Sequence, residues 1–512
     1  MIHGHFSQPP RENPWTGAIP RQPSATPYHD WNERIEAECY GPVVRSRVLR
    51  EGAADQVVNS LEWMSFNFGP TLMVWLEAHA PETYAAILAA DRASAGRLKG
   101  HGNALAMPYH HPILPLSTGR DRRTEIRWGI ADFRRRFGRD PEGMWLPETA
   151  VDGATLDALA DEGIRFTILA PHQVDPVPKD GRPARYVTAN GDEIALFVYD
   201  GGLSHGVAFG DLLEDGVRWA RIMAGESETE TGRDPPLLRS IATDGETFGH
   251  HHEFGEMGLA KAILELRSDG TVRLENFAAF LAREGVGERV ELVEPSAWSC
   301  AHGVERWRSD CGCKADPSAD TRQTWRGPLR RALEGLAEGL HEIFEAEGRA
   351  YFDDPWAARD AYGHVVAAHG AELDRATERD GAGVDTPSGV REHLGAHLSG
   401  RALELLEMER NALRLFTSCA WFFDDVDRLE PRQVLAYAAR GLELAGPSGA
   451  ELREGFVERL ADAVSNDPEV GTAADVFEEV AARQRVAKGR VAEKRLGKGP
   501  KQAGSVREAT TE

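Results

Sequence analysis

Glu148 closes the segment Trp145-Leu146-Pro147-Glu148, and Asp244 opens Asp244-Gly245-Glu246-Thr247-Phe248-Gly249-His250-His251-His252. Each follows a short apolar run, so each carboxylate stands at the end of a predicted strand. Pro147 stiffens the exit before Glu148, and Trp145 offers a flat apolar face of the kind on which sugar rings stack. The loop after Asp244 is too dense in ionisable groups for ordinary surface. A carboxylic acid that protonates a leaving oxygen, paired with a carboxylate that attacks the anomeric carbon or activates water, can break a glycosidic bond. Either acid alone reads as well as a solvated loop residue or a helix cap. The two settings together point to chemistry.

Other polar groups gather at the same level of the chain. The opening His3-Gly4-His5-Phe6-Ser7-Gln8-Pro9-Pro10 reads as a first strand ending in His5 and Gln8, groups suited to sugar hydroxyls. His110 and His111 follow the apolar run 104–107, and Asp200 follows 194–199. The histidines at 3 and 5, 110 and 111, and 250 to 252 also raise the possibility of a zinc site, and with it a metal-dependent carbohydrate deacetylase. They lack a helix-borne or fixed-spacing ligand set, so no metal and no cofactor is expected there. Cys300, His302, Cys311 and Cys313 have a spacing that could bind a metal, but without a Cys-x-x-Cys clip they read as partly buried thiols.

These residues need a scaffold that places strand ends side by side. From the start to about residue 300, short apolar runs alternate with Gly, Pro and His-rich loops and amphipathic stretches, the cadence of β/α units. The clearest unit runs from 143–148 through a helix at 153–162 to the apolar run 166–170. Polar residues just after each strand mark the end where barrels and open parallel sheets carry their sites. Beyond about residue 315 the period becomes helical, with Leu329, Leu333, Leu336, Leu340 and Phe344 on one face. Further helices are predicted at about 388–418, 431–445, 449–465 and 472–485, which together make a helical bundle. From 486 to 512 a basic tail without apolar period is expected to be disordered.

The formal net charge of −23 argues against nucleic acid as a partner and favours a neutral substrate. No run approaches the roughly 20 apolar residues that span a bilayer, and the start has no basic segment leading into an apolar one. No membrane partner is expected. Five cysteines form an odd set unlike a disulfide framework, which predicts reduced thiols in a cytoplasm. Oligomeric state is not legible.

Four motifs in order give a family resemblance. His5-Phe6-Ser7-Gln8-Pro9, His110-His111-Pro112-Ile113-Leu114-Pro115-Leu116, Trp145-Leu146-Pro147-Glu148 and Asp244-Gly245-Glu246-Thr247-Phe248-Gly249-His250-His251 resemble those of glycoside hydrolase family 57. The resemblance implies an α/β fold, an incomplete (β/α)7 barrel at 1–310 followed by an all-α helical-bundle domain at 311–485. It implies a retaining hydrolase or transglycosylase acting on α-linked glucans or maltooligosaccharides, of amylase, 4-α-glucanotransferase or branching type. Glu148 would be the nucleophile and Asp244 the general acid and base, about 5 to 5.5 Å apart. His5, Gln8, His111, Trp145, Asp200, Glu246, Phe248, His251, Trp298 and Trp421 would bind substrate, the last two as stacking platforms. Ser7 replaces a usual histidine, and Gly245 a common aromatic. The segments around Trp298 to Cys313 and Phe416 to Asp425 look like a branch whose helical domain has no assigned function. The rival from outside enzymology is a catalytically silent glucan-binding protein of the same fold.

Overall fold

The computed structural model describes residues 1–50, 53–226, 236–370, 372–373 and 383–483. The expected basic tail at 486–512 lies outside the described residues. The apolar alternation near the start forms the strand Ile2–Phe6, which runs parallel between Ser65–Phe68 and Ile241–Asp244. In that register His5 lies opposite Asn67 on one side and Asp244 on the other. Single parallel bridges link Phe66 to Ala104, Ala106 to Met144 and Gly143 to Phe166. They carry the series to Phe166–Leu169 and on to Glu193–Val198, against which Ala184–Val187 runs antiparallel. The molecule is therefore a helix-rich α/β protein in which parallel segments bring consecutive loops to one edge. No closed barrel forms among the described residues.

Helices seal the outer side of these segments. Gly119–Phe137 starts at Thr118, whose Oγ1 accepts the Asp121 N–H, and stops at Gly138 with φ of 67°. Gly129 lets this helix lie directly on the 104–107 segment, because a Cβ there would stand 2.0 Å from the Met107 carbonyl oxygen. The expected helix after Glu148 spans Gly153–Asp161, capped by Asp152.

The C-terminal part is helical, as its periodicity predicts. Leu329, Leu333, Leu336, Leu340 and Phe344 on Arg326–Gly348 are all buried, in one cluster with Tyr362, Leu406, Trp421, Tyr437 and Phe456. Full burial of such side chains contributes about 1.5–3 kcal/mol each. Helices follow at Leu429–Leu444 and Pro447–Leu460, with helical backbone at 473–483. The single helix expected at about 388–418 is corrected. Only Gly400–Arg414 is a long helix; Arg391–Leu394 is one turn, and His397–Leu398 pairs as a short strand. Gly395 and Gly400, at φ of 70° and 52°, break the run in conformations that leave the helical region.

A buried polar network joins the two parts. Arg359 is inaccessible and donates from one nitrogen to Asp121 Oδ1 and Glu409 Oε2, both at 2.8 Å. His341 pairs with the same Glu409 at 2.9 Å. Among the described residues no helix is long and apolar enough to cross a membrane.

Candidate active site

The Glu148 turn is unusual backbone. Pro147 begins a short turn in which Glu148 adopts φ 57°, ψ 19° and Thr149 φ 48°. Two consecutive non-glycine residues in the left-handed region cost of order 1–3 kcal/mol each and persist only where the surroundings hold them. The surroundings here are the 296–300 segment. Trp298 N–H donates to the Glu148 carbonyl and Ser296 N–H to the Val151 carbonyl. The side chain is held as well. Trp298 Nε1 donates to Glu148 Oε2 at 3.1 Å and Ser299 Oγ to the same oxygen at 2.5 Å. Two donors on one carboxylate oxygen suit an anion.

Asp244 ends the strand Ile241–Asp244, and Glu246 follows in a short turn. Asp244 keeps accessible surface, yet dense protein surrounds its carboxyl. Loss of solvation comes first, and the carboxylates of Glu246 and Glu148 add to it, holding its pKa well above the ordinary range. Glu246 is buried and raised to about 7 by that burial, against the hydrogen bonds it accepts from Tyr40 O–H at 2.5 Å and Ser7 N–H at 3.3 Å. Gly245 is required by packing. A Cβ there would stand 2.1 Å from the Phe6 ring, which occupies the space an aromatic at 245 would need.

Between the carboxylates runs a stack of neutral rings. His5 Nε2 and His111 Nε2 lie 3.1 Å apart, so one N–H donates to the other ring's lone pair. Burial first, then each other's proximity, lowers His5 well below its usual pKa, and burial lowers His111 against the pull of Glu148. His5 also meets Asn67, and its ring stacks on Trp145 at 5.2 Å. His111, at φ 60°, reaches Ser418 Oγ from Nδ1 at 2.6 Å, so the helical part contacts this edge directly. Thr417 Oγ1 donates to the His110 carbonyl beside it.

Several expected contacts are redirected. Trp145, Phe248 and Trp421 have no accessible surface and cannot offer a face to a ligand. Trp145 is sandwiched by His3, His5 and Trp298, Phe248 lies in the core, and Trp421 donates Nε1 to the Arg326 carbonyl. Their role is to back the site. Asp200 caps the helix Gly201–Ala208 by accepting the Leu203 N–H. Gln8 stays at the site: it accepts from Arg11 Nη2 at 2.9 Å and its side chain also hydrogen-bonds Glu246 and Tyr40. His251 is exposed at the surface, with a pKa lowered to about 4 by loss of solvation and its histidine neighbours. Trp298 is half-buried and remains an available face. The other histidines are committed apart, His110 to Glu125, His250 to Glu38 and His252 to the Ala208 carbonyl.

Sequence reasoning missed Ser299, Ser418, Tyr40 and Asn67, which hold the named residues. It also missed Tyr199, whose hydroxyl is raised by burial and by Asp244. No local spacing marks them; they arrive from other elements. A cavity of about 450 Å³ lies away from the carboxylates, lined by Pro112, Arg330, Glu334, His341 and Trp356 among others.

The parallel α/β core with acids at its strand ends defines the class, and comparison with known proteins supplies the family. Residues 97–295 match the model of glycosyl hydrolase family 57, and residues 322–496 match a domain of unknown function, DUF3536. Over residues 97–295 the chain is therefore similar to glycosyl hydrolase family 57. An α-amylase of Pyrococcus horikoshii is 24% identical over 220 residues, 41% of this chain and 32% of that protein. A 4-α-glucanotransferase of Thermococcus litoralis is 22% identical over 189 residues, 36% of this chain and 26% of its own. The matched regions thus span about a third or less of these curated relatives. The fold is similar to an exo-type maltose-forming amylase of Pyrococcus sp. ST04, with TM-score 0.70 and 14% identity over 97% of this chain and 94% of that one. A branching enzyme of Pyrococcus horikoshii aligns with TM-score 0.51 and 16% identity, covering 94% of each chain.

Proposed function

We propose that the protein is a retaining glycoside hydrolase or transglycosylase acting on α-linked glucans, with Glu148 as nucleophile and Asp244 as general acid and base. The observation that carries this reading is the contrast between the two carboxyls. Glu148 receives two donated hydrogen bonds, from Trp298 and Ser299, whereas loss of solvation and the nearby carboxylates of Glu246 and Glu148 raise the pKa of Asp244. Carboxyls whose environments differ in this way divide into acid and nucleophile.

In the first step Glu148 attacks the anomeric carbon while Asp244 protonates the departing oxygen, forming a glycosyl-enzyme ester and releasing the leaving sugar. In the second, Asp244 takes a proton from water or a sugar hydroxyl, which attacks the same carbon and frees Glu148. A carboxyl separation of about 5 to 5.5 Å is expected for that geometry. The neutral His5 and His111 pair and Trp298 supply donors and an apolar face along the cleft. The parallel series of segments supports an incomplete (β/α)7 barrel at 1–310, with the helical domain at 311–485 lying against its active edge through Ser418.

The test is incubation with amylose and with maltooligosaccharides, resolving products by chain length and branch content, for the parent and Glu148→Gln. Shorter products mean hydrolysis, longer ones transfer, and new branch points a branching enzyme. Product formation by Glu148→Gln at the parent rate overturns the assignment.

A further inference from the structure

The connection between the two matched regions, 296–321, belongs to neither family model, yet it holds the densest cluster of metal-binding side chains among the described residues. Where the sequence suggests partly buried thiols, the fold gathers Cys300, His302, Cys311 and Cys313 so that their ligand atoms all lie within 4.8 Å of one another. Two separations are particularly telling. Cys313 Sγ is 3.9 Å from Cys300 Sγ and 3.6 Å from His302 Nδ1. A tetrahedral zinc ion with Zn–S of about 2.3 Å and Zn–N of about 2.0–2.1 Å needs neighbouring sulfurs about 3.8 Å apart and sulfur to nitrogen about 3.6 Å. The cluster already has that scale.

The backbone is arranged to permit it. Gly303 and Gly312 take φ of 78° and 79°, which turns the chain after His302 and between Cys311 and Cys313, so two widely spaced pairs converge. Zn²⁺ with three thiolates and a neutral imidazole carries one net negative charge. Arg326, buried and within electrostatic reach of Cys311 and Cys313, donates Nη1 to the Cys313 carbonyl at 2.8 Å and balances it. Three soft thiolates with one imidazole suit zinc over magnesium or calcium, which prefer oxygen.

We propose that Cys300, His302, Cys311 and Cys313 bind a structural zinc ion that locks the connection between the two parts and so positions Trp298 and Ser299 on Glu148. Binding displaces three thiol protons to solvent as three Zn–S bonds form. The link to the carboxylate is short. Ser299 precedes Cys300 directly, its carbonyl accepts from Arg306 Nη1 at 2.9 Å, and its hydroxyl is one of the two donors to Glu148. On the far side, Asp424 accepts the N–H groups of Ala315 and Asp316, tying the same connection to the helical part. The zinc site itself is independent of the catalytic reading; its positioning role rests on Glu148 being the nucleophile.

The experiment uses the untagged full-length protein. Elemental analysis is expected to find one zinc per chain, retained in Cys419→Ser and lost in Cys311→Ser/Cys313→Ser. Cobalt added to chelator-treated parent protein should give the intense visible bands of a tetrahedral site with thiolate charge transfer, which holds the proposal testable if the double variant fails to fold. Stripping zinc should lower kcat about 10-fold to 100-fold, the scale of a lost hydrogen bond to a charged group, with little change in KM and recovery on zinc addition. No bound metal together with a weak, octahedral cobalt spectrum overturns the site. So does a thiol count two short of five without reductant, which would make the cluster a disulfide. Full activity of Glu148→Gln with zinc still bound would remove the catalytic reading and leave the site standing.

Discussion

Replacing Glu246 by glutamine separates the cost of its charge from its role in packing. Its Oε1 accepts both the Tyr40 hydroxyl and the Ser7 N–H, and glutamine retains an oxygen at that position. Only the ability to ionise is lost. Burial raises this carboxyl from 4.5 to about 7, so the folded protein holds the proton more tightly than the unfolded chain does. A raised carboxyl contributes stability that is fully present below the unfolded value and is lost as pH climbs through the folded one. The window therefore runs from about 4.5 to about 7, and its size is about 3 kcal/mol. Denaturant unfolding of parent and Glu246→Gln across pH 4 to 8 should show the variant gaining on the parent by about that amount between the ends of the series. Parallel curves would refute the reasoning. The same substitution removes one charge that holds up Asp244, so the basic limb of kcat/KM should move to lower pH, because the general acid then loses its proton sooner.

Ser299→Ala removes one of the two donors to Glu148 and should lower kcat/KM by about 1.5–3 kcal/mol, roughly 10-fold to 150-fold, read in steady-state kinetics on maltooligosaccharides. Arg359→Met leaves Asp121 and Glu409 buried with His341 as their one remaining cation and should destabilise the protein by about 3 kcal/mol in urea unfolding. His341, raised to about 9 chiefly by Glu409 and Asp121 against the effect of burial, contributes stability present below about 6.5 that fades as pH rises to about 9; His341→Gln should flatten that decline.

The parts of this fold that a reader of the sequence can foresee are those written in local order. The helical face of Leu329 to Phe344 and the unit from Met144 through Phe166 carry their own periodicity, and the structure has both. The ends of strands near His5, Glu148 and Asp244 were visible because polar residues abruptly replace apolar ones. What was not visible depends on contacts between distant segments. Ser418 meets His111 across 307 positions and Ser299 meets Glu148 across 151, with no motif joining either pair. Burial misled the aromatic assignments: Trp145 and Trp421 look like sugar platforms by type, but their faces are covered by His3, His5 and Trp298, or by the helical core. The cysteine cluster was hidden for the opposite reason, since its two glycine turns rather than a compact Cys-x-x-Cys spacing make it converge.

Double displacement requires a covalent glycosyl ester on Glu148. Asp244→Asn should slow the second step more than the first when the substrate is an α-maltosyl fluoride, whose leaving group needs little protonation. Mass spectrometry of the quenched, proteolysed reaction is then predicted to find one glycosyl adduct, on the peptide bearing Glu148. An adduct on another residue, or turnover by the parent enzyme to a product of inverted configuration, would contradict it.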